Sequence, residues 1–363
     1  MENEVIKKNK KEKIFIIIGF VLIIVAIFIL FLNESKSVDS EKVISIAKDS
    51  YIEVSSSKID KNNDGKLVVV SGKIDLINDN VSDQDFNVSV RTAKLVRVVE
   101  MYQWDKVCES KEDCSYKKVW SSNIIDDSKF ESGYVNPDTM PYLSSELYMS
   151  NVNLGEYILE KELLSQLSIT EVYKDLDEKI AKNKGLNIVD GMYTTYDENN
   201  NLEIGDIRIS FLYNNATDIS VMAVQKDKKF EKFSPDGTNY EIFELREKII
   251  KGKEFLNGLT KSNSMLRWIL RLVGTILMIV GIAFVLKFMS FLASIIPFLE
   301  KFIVKRVLIV SILVGFSLSL LIIAISWFVV KPLISIILIL IIVGLIILYY
   351  KYNMKKNSTE VKE

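Results

Sequence analysis

The chain has 363 residues, with 46 Lys+Arg against 47 Asp+Glu, no histidine, two cysteines and 49% hydrophobic residues. Without histidine there is no Ser-His-Asp or Cys-His nucleophile system, no His-ligated zinc or haem and no imidazole switch near neutrality. The near-neutral total hides a segregation: residues 33–265 carry 30 basic and 41 acidic side chains, and the two ends together carry 16 and 6. So acidic a middle portion repels phosphates, which argues against nucleic acid as a partner.

Residues 1–13 form a basic tail with Lys7, Lys8, Lys10, Lys11 and Lys13. Residues 14–32, IFIIIGFVLIIVAIFILFL, are uncharged and span roughly 28 Å at about 1.5 Å per residue, matching a ~30 Å hydrocarbon core. They are read as a first transmembrane helix. A cleaved leader is the other reading, with Ser35 and Ser37 as a weak small-x-small site, but the run exceeds the usual apolar region of about 7–15 residues.

Residues 33–265 are read as one α+β domain, mainly β with a few helices. Alternating or apolar runs predict strands at Lys66–Ile77, Phe86–Trp104, Tyr116–Ser122, Met192–Tyr196, Ile204–Tyr213 and Ile219–Gln225. Weaker helical patterns fall near 38–51, 155–166, 170–183 and 241–258, the last nearing the membrane through a break at Ser262–Met265. Asp60, Asn62, Asp64 and Gly65 match the first half of a calcium loop, but Ser71 stands where the closing Glu belongs. A turn leading into a strand explains the same residues without a metal. The acidic stretches Asn78–Asp85 and Asp197–Asn201 also read as solvated turns. Cys108 and Cys114 flank a polar loop between two strand-like runs. They form either a cross-strand disulfide or two free thiols. Asp206 and Arg208 share one strand face, and Glu100, Tyr102 and Trp104 share another. Each set reads as a ligand groove or as cross-strand pairing and aromatic packing.

Three further spans are expected at 268–286, 307–330 and 333–350, the last two joined by a turn at Lys331 and Pro332. Lys287, Lys301, Lys305 and Arg306 lie between the second and third spans; Lys351, Lys355 and Lys356 follow the fourth. With the N-terminal lysines, these groups fall on one side of the membrane. The positive-inside rule makes 1–13, the 287–306 loop and the 351–363 tail cytoplasmic, and 33–265 extracytoplasmic or lumenal. Arg267, Arg271 and Lys331 are exceptions that reach the interface by snorkelling. The apolar 288–303 stretch reads as an interfacial helix pair broken near Pro297 or as a short buried segment. No Asp or Glu lies within the four spans, which argues against a pump or secondary transporter. Ser311, Gly315 and Ser319 form a small-residue face, suited to packing within the bundle or to self-association.

Several blocks, in order, resemble the transmembrane protein 43 family, also called LUMA. They are Glu100-Met101-Tyr102-Gln103-Trp104; Trp120 to Ile125 with Phe130; Asn136-Pro137 with Met140; and Gly205-Asp206-Ile207-Arg208-Ile209-Ser210-Phe211. The membrane part adds Ser262 to Met265 with Trp268 and Arg271, then Trp327 with Lys331-Pro332-Leu333. The resemblance implies a non-enzymatic organiser of membrane protein complexes, found in eukaryotes at the endoplasmic reticulum and inner nuclear membrane with lamina-associated partners. It carries over no catalytic centre and no cofactor, and implies that Glu100, Trp104, Trp120, Asn136, Pro137, Asp206 and Arg208 form a structural or binding signature. The Cys-bounded hairpin, the missing histidines and the Lys/Ile/Asn-heavy composition depart from the eukaryotic pattern. They suggest a prokaryotic member, whose membrane is the cell membrane and to which nuclear partners do not transfer.

The combined expectation is a multi-pass scaffold. Its partners are membrane proteins, itself included, and its basic cytoplasmic flanks meet anionic lipids. The alternatives are a membrane-anchored hydrolase with paired carboxylates outside the cytoplasm and a channel or channel accessory subunit.

Overall fold

Side chains at every second position of 95–103 turn inward in the longest described strand, Leu95, Val99 and Met101 apolar and Arg97 and Gln103 polar, because a strand directs alternate residues to opposite faces. Leu95, Val99 and Met101 are buried, and the intervening Val98, Glu100 and Tyr102 are half-exposed. The computed structural model describes residues 2–77, 80–108, 113–197, 202–293, 307–328 and 331–360. The chain divides into a helical unit, formed by Met1–Asp49, Ser234–Glu241 and Lys253–Glu363, and a β-rich unit, formed by Ser50–Phe233 and Ile242–Gly252.

Helix α1 (Glu2–Ser50) is followed by β1 (Ile52–Ser55), β2 (Leu67–Leu76), β3 (Val81–Asp83), β4 (Val88–Val90), β5 (Lys94–Cys108) and β6 (Cys114–Ser121). Next come β7 (Ser145–Tyr148), β8 (Val152–Leu154), β9 (Tyr157–Leu159), α2 (Lys161–Leu164), β10 (Glu171–Tyr173) and α3 (Glu178–Lys184). The β-rich unit closes with β11 (Asn187–Val189), β12 (Met192–Thr194), β13 (Ile207–Tyr213), β14 (Asp218–Lys226), β15 (Lys229–Glu231) and β16 (Glu244–Arg246).

One sheet has the order β15-β14-β2-β8-β9, with β1 added parallel to β2 and β16 beside β14. The other has the order β11-β12-β13-β5-β6, with β10 beside β13 and β7 beside β5. They share one apolar core, in which Val68, Val70, Val221 and Ala223 of the first sheet join Leu95, Val99, Ile209 and Phe211 of the second. Phe86 packs against Tyr193 and Phe211 within it, at ring centroid distances of 5.4 and 5.6 Å.

Of the four weak helical patterns, 38–51 is helical as the end of α1, and the other three resolve differently from expectation. At 155–166, Gly155 turns the chain at φ +61° and Tyr157 and Leu159 are buried in alternation, so strand β9 precedes a single helical turn. At 170–183, β10 pairs with β13, and a helix starts only where Asp177 accepts the Lys179 amide at 2.8 Å as its N-cap. At 241–258, Glu244–Arg246 pairs with β14 before a helix begins at Gly252. The Asp60–Gly65 segment is a short 3-10 turn. Asp60 caps it through the Asn62 amide at 3.0 Å, and Asp64 Oδ1 accepts from Gln225 Nε2 at 2.7 Å and the Asp227 amide at 3.1 Å.

In the helical unit, α1 is joined by α4 (Gly252–Ala293), α5 (Val307–Trp327) and α6 (Pro332–Glu360). Among the described residues, four helical stretches are long and apolar enough to cross a membrane: Ile14–Ser50, Gly252–Lys287, Val307–Trp327 and Pro332–Tyr349. Leu272, Leu308, Ile325 and Leu333 are exposed on them, as lipid-facing side chains are. The expected break at Ser262–Met265 is absent, since α4 runs through it. Its polar residues find partners without opening the helix: Thr260 donates back to the Leu256 carbonyl at 2.8 Å, and Asn263 donates to the Tyr240 hydroxyl at 2.8 Å. Where α1 crosses α4, a Cβ on Gly19 would lie 2.9 Å from the Gly281 carbonyl oxygen, so hydrogen alone fits. Ser311, Gly315 and Ser319 are buried along α5, and a Cβ on Gly315 would meet Ile279 of α4 at 2.8 Å. Residues 109–112 between the cysteines, 198–201 of the acidic run and the 294–306 stretch with Pro297 lie outside the described residues.

Candidate functional site

The signature residues of the β-rich unit gather around β5, β6 and β13. The antiparallel register sets Arg208 opposite Glu100, and Arg208 Nε donates to Glu100 Oε2 at 2.7 Å. The same guanidinium lies over the Trp120 ring, 4.5 Å from its centroid, and Trp120 packs on Tyr102 at 5.1 Å and Tyr196 at 5.8 Å. Burial pushes the Tyr196 hydroxyl pKa up, with Arg208 opposing, so the phenol stays neutral.

Further along the hairpin Trp104 meets Tyr134 edge-on at 4.9 Å, and Tyr134 stacks on Tyr116 at 3.7 Å. Lys118 lies over Trp104 at 5.3 Å and Lys106 over Tyr116 at 5.2 Å. The result is a half-exposed ladder of aromatic rings interleaved with cations, which is favourable in itself.

Asn136 latches a loop onto this hairpin. Its Oδ1 accepts the Trp104 amide at 2.7 Å and its Nδ2 donates to the Trp104 carbonyl at 3.0 Å, replacing a strand neighbour. Pro137 sits near Gly205, where a Cβ would be 3.2 Å from its ring, and Gly205 and Asp206 exchange backbone hydrogen bonds with Tyr102 at 2.9 and 2.7 Å. Asp206 accepts from the Thr195 hydroxyl at 2.8 Å and the Glu203 amide at 2.7 Å. Asp206 and Arg208 therefore have separate partners. Cys108 and Cys114 stand opposite each other in the ladder and are joined by a disulfide.

The helical unit holds a second polar constellation. Glu34, fully buried on α1, receives Arg271 of α4 in bidentate fashion, Nε to Oε1 and Nη2 to Oε2 at 2.7 Å each. The Trp327 indole of α5 donates to the same carboxylate, as does Asn33. About two helical turns further on, Glu41 accepts Lys331 and lies 3.7 Å from Arg267 Nη1. Arg267, Arg271 and Lys331, expected to snorkel, each lie against a carboxylate. Arg271 sits within an apolar helix and needs a partner, and Glu34 is the first acid beyond the initial apolar run; that adjacency was the available sequence signal.

These features define a class: an integral membrane protein of several apolar helices, with a β-rich region between the first and the last three. The sequence profile described as Transmembrane protein 43 matches residues 101–332, and the chain belongs to that family. It is similar to transmembrane protein 43 of Homo sapiens, 25% identical over 344 residues that cover 87% of this chain and 84% of the relative. It is also similar to the transmembrane protein 43 homolog of Drosophila melanogaster, 25% identical over 292 residues covering 75% and 76%. No solved structure matches the chain.

Proposed function

We propose that the protein is a non-enzymatic organiser of membrane protein complexes, anchored by its helices and recognising a protein partner through the β5–β6 face. The observation that carries this reading is the ladder Trp120, Tyr102, Trp104, Tyr134 and Tyr116, half-exposed and threaded by Arg208, Lys118 and Lys106. Aromatic and arginine side chains on a rigid platform are the groups that dominate protein interfaces. The Asn136 latch and the disulfide stiffen that platform, which lowers the entropic cost of binding.

The acids named for a hydrolase support the non-enzymatic reading. Glu100 is held by Arg208 and Asp206 by Thr195 and a backbone amide, so neither is presented as half of an acid–base pair. The basic flanks favour cytoplasmic termini and an extracytoplasmic β-rich unit, in the cell membrane for a prokaryotic member. The helices also suit self-association and contact with other membrane proteins.

The test is a photo-crosslinking amino acid in place of Lys118, with exposed Lys61 as control, in native membranes. A discrete adduct from position 118 that is absent from position 61 is expected, and Trp104→Ala should weaken it. No adduct at 118, or the same products from both positions, overturns the reading.

A further inference from the structure

The helical unit contains a cavity of about 960 Å³, within the range of sites that take small ligands. Its lining changes character along its length. At one end are Ser45, Lys48, Asn257, Thr260 and Asn263; at the other are Leu272, Phe316, Leu320, Ile323 and Leu338. Arg267, Arg271 and Lys331 form a belt between them with Trp268 and Trp327. The face of α4 that lines the cavity runs from Asn257 to Thr275, a rise of roughly 27 Å at about 1.5 Å per residue. One bilayer leaflet with its headgroups is about 20–22 Å deep. Tryptophans at the boundary between polar and apolar walls mark the level of the membrane interface, so the cavity straddles headgroup and hydrocarbon depths.

The charge at that boundary is unbalanced. Glu34 is taken by Arg271, which leaves Glu41 to serve both Lys331 and Arg267. Arg267 Nη1 is 3.7 Å from Glu41, too far for a hydrogen bond, and its buried Nε has no partner. Lys48 adds a further cation to the polar end. A guanidinium with unused donors beside an ammonium matches a phosphate oxyanion, and the apolar wall continues from that point as an acyl chain would.

We propose that this cavity binds one anionic phospholipid, with its phosphate on Arg267 and Lys331 and an acyl chain along Phe316, Leu320 and Leu338. This site is distinct from the basic flanks at the other ends of the helices and does not depend on what the β-rich unit recognises.

The full chain in nanodiscs of phosphatidylcholine with a minor fraction of phosphatidylglycerol tests it. Brominated acyl chains are placed on one lipid or the other, and tryptophan quenching is read. Trp327 lines the cavity and is 3% exposed, so bulk lipid reaches it poorly and a lipid in the cavity lies beside it; Trp268, 63% exposed and open to bulk lipid, is replaced by Phe for this measurement. Brominated phosphatidylglycerol should quench several-fold more per molecule than brominated phosphatidylcholine. Native mass spectrometry should show one retained phosphatidylglycerol.

R267Q combined with K331Q should remove the preference. L338W should expel the retained lipid by filling the apolar end with the charges intact, which covers the case in which the charge variant fails to fold. Inorganic phosphate at millimolar concentration should leave the quenching unchanged; displacement by it means that the cavity takes free phosphate and overturns the lipid. Equal quenching by both lipids, or a preference that survives the folded variants, also overturns the proposal.

Discussion

Arg97 with Asp83 in the β-rich unit and Arg271 with Glu34 in the helical unit each bury a charge pair, and the two are supported in opposite ways. Asp83 is close in sequence to everything it binds: its Oδ1 accepts Arg97 Nη1 at 3.0 Å and the amides of Asp85 and Phe86 at 3.1 and 3.2 Å. Arg97 also donates Nε to the Leu143 carbonyl at 2.9 Å and stacks over Phe86 at 5.3 Å. Glu34 instead draws on Arg271 and Trp327, 237 and 293 residues away. The first pair fixes a turn. The second joins α1, α4 and α5, so the same chemistry sets local geometry in one unit and helix assembly in the other. Removing one partner strands a buried charge, whereas replacing both by apolar groups can be neutral.

The largest effect should therefore follow from Glu34→Leu, which leaves Arg271 and the Trp327 indole without their acceptor. A loss toward the upper end of about 3–5 kcal/mol is expected, read as lower thermal stability of the detergent-solubilised protein. Glu34→Leu with Arg271→Leu should recover much of it, and a double variant no better than the single one would show that the helices do not meet through this pair. Arg97→Met should cost less, near about 3 kcal/mol, because Asp83 keeps its two backbone amides. Equal losses for the two single variants would erase the contrast.

Two backbone constraints sharpen the comparison at smaller magnitude. Gly155 has φ +61°, and a Cβ there would lie 2.1 Å from the Ser56 carbonyl oxygen, which already accepts the Glu156 amide at 2.8 Å. Gly155→Ala should destabilise the β-rich unit by about 1–3 kcal/mol and leave helix association unchanged. Reducing the Cys108–Cys114 disulfide should cost about 2 kcal/mol, since so short a loop constrains the unfolded chain little. Thermal unfolding with and without reductant measures it.

The alternating strands were legible because a period of two is a local property: Lys66–Ile77 and Ile204–Tyr213 differ from β2 and β13 only at their ends. The apolar spans were legible from length and composition. Segments decided by tertiary partners were not. Tyr157 and Leu159 read as helical until β8 supplied their ladder, and Ser262–Met265 reads as a break until Tyr240 occupies Asn263. At the candidate site, the matched residues Glu100, Trp120 and Arg208 do converge, since β5, β6 and β13 are neighbours. Tyr116, Tyr134 and Lys118 were invisible as members of that face, because the Asn136 latch that brings Tyr134 onto the hairpin depends on a loop path. The Glu34 pair was hidden for the same reason, its partners being set by which helices touch.

The smallest effect separates an exposed carboxylate from its buried neighbour. Asp85 is 65% exposed and accepts Arg97 Nη1 at 2.7 Å, and that hydrogen bond, with the guanidinium charge behind it, holds its pKa below the ordinary 3.8. A carboxylate with a depressed folded-state pKa contributes stability above its unfolded value and loses it as pH falls through the folded one. Asp85→Asn should therefore weaken the protein at neutral pH and approach the unaltered chain as pH falls from about 4 through the lowered folded-state value, below which both forms carry an uncharged group. Because Asp85 faces water, high salt should shrink this difference, whereas the penalty of Glu34→Leu should hold, its charges being shielded from ions by the helices. Chemical denaturation across pH at two ionic strengths reads both. A salt-sensitive Glu34 penalty would mean that its carboxylate is hydrated, and the distinction between a local turn pair and a helix-joining pair would then fail.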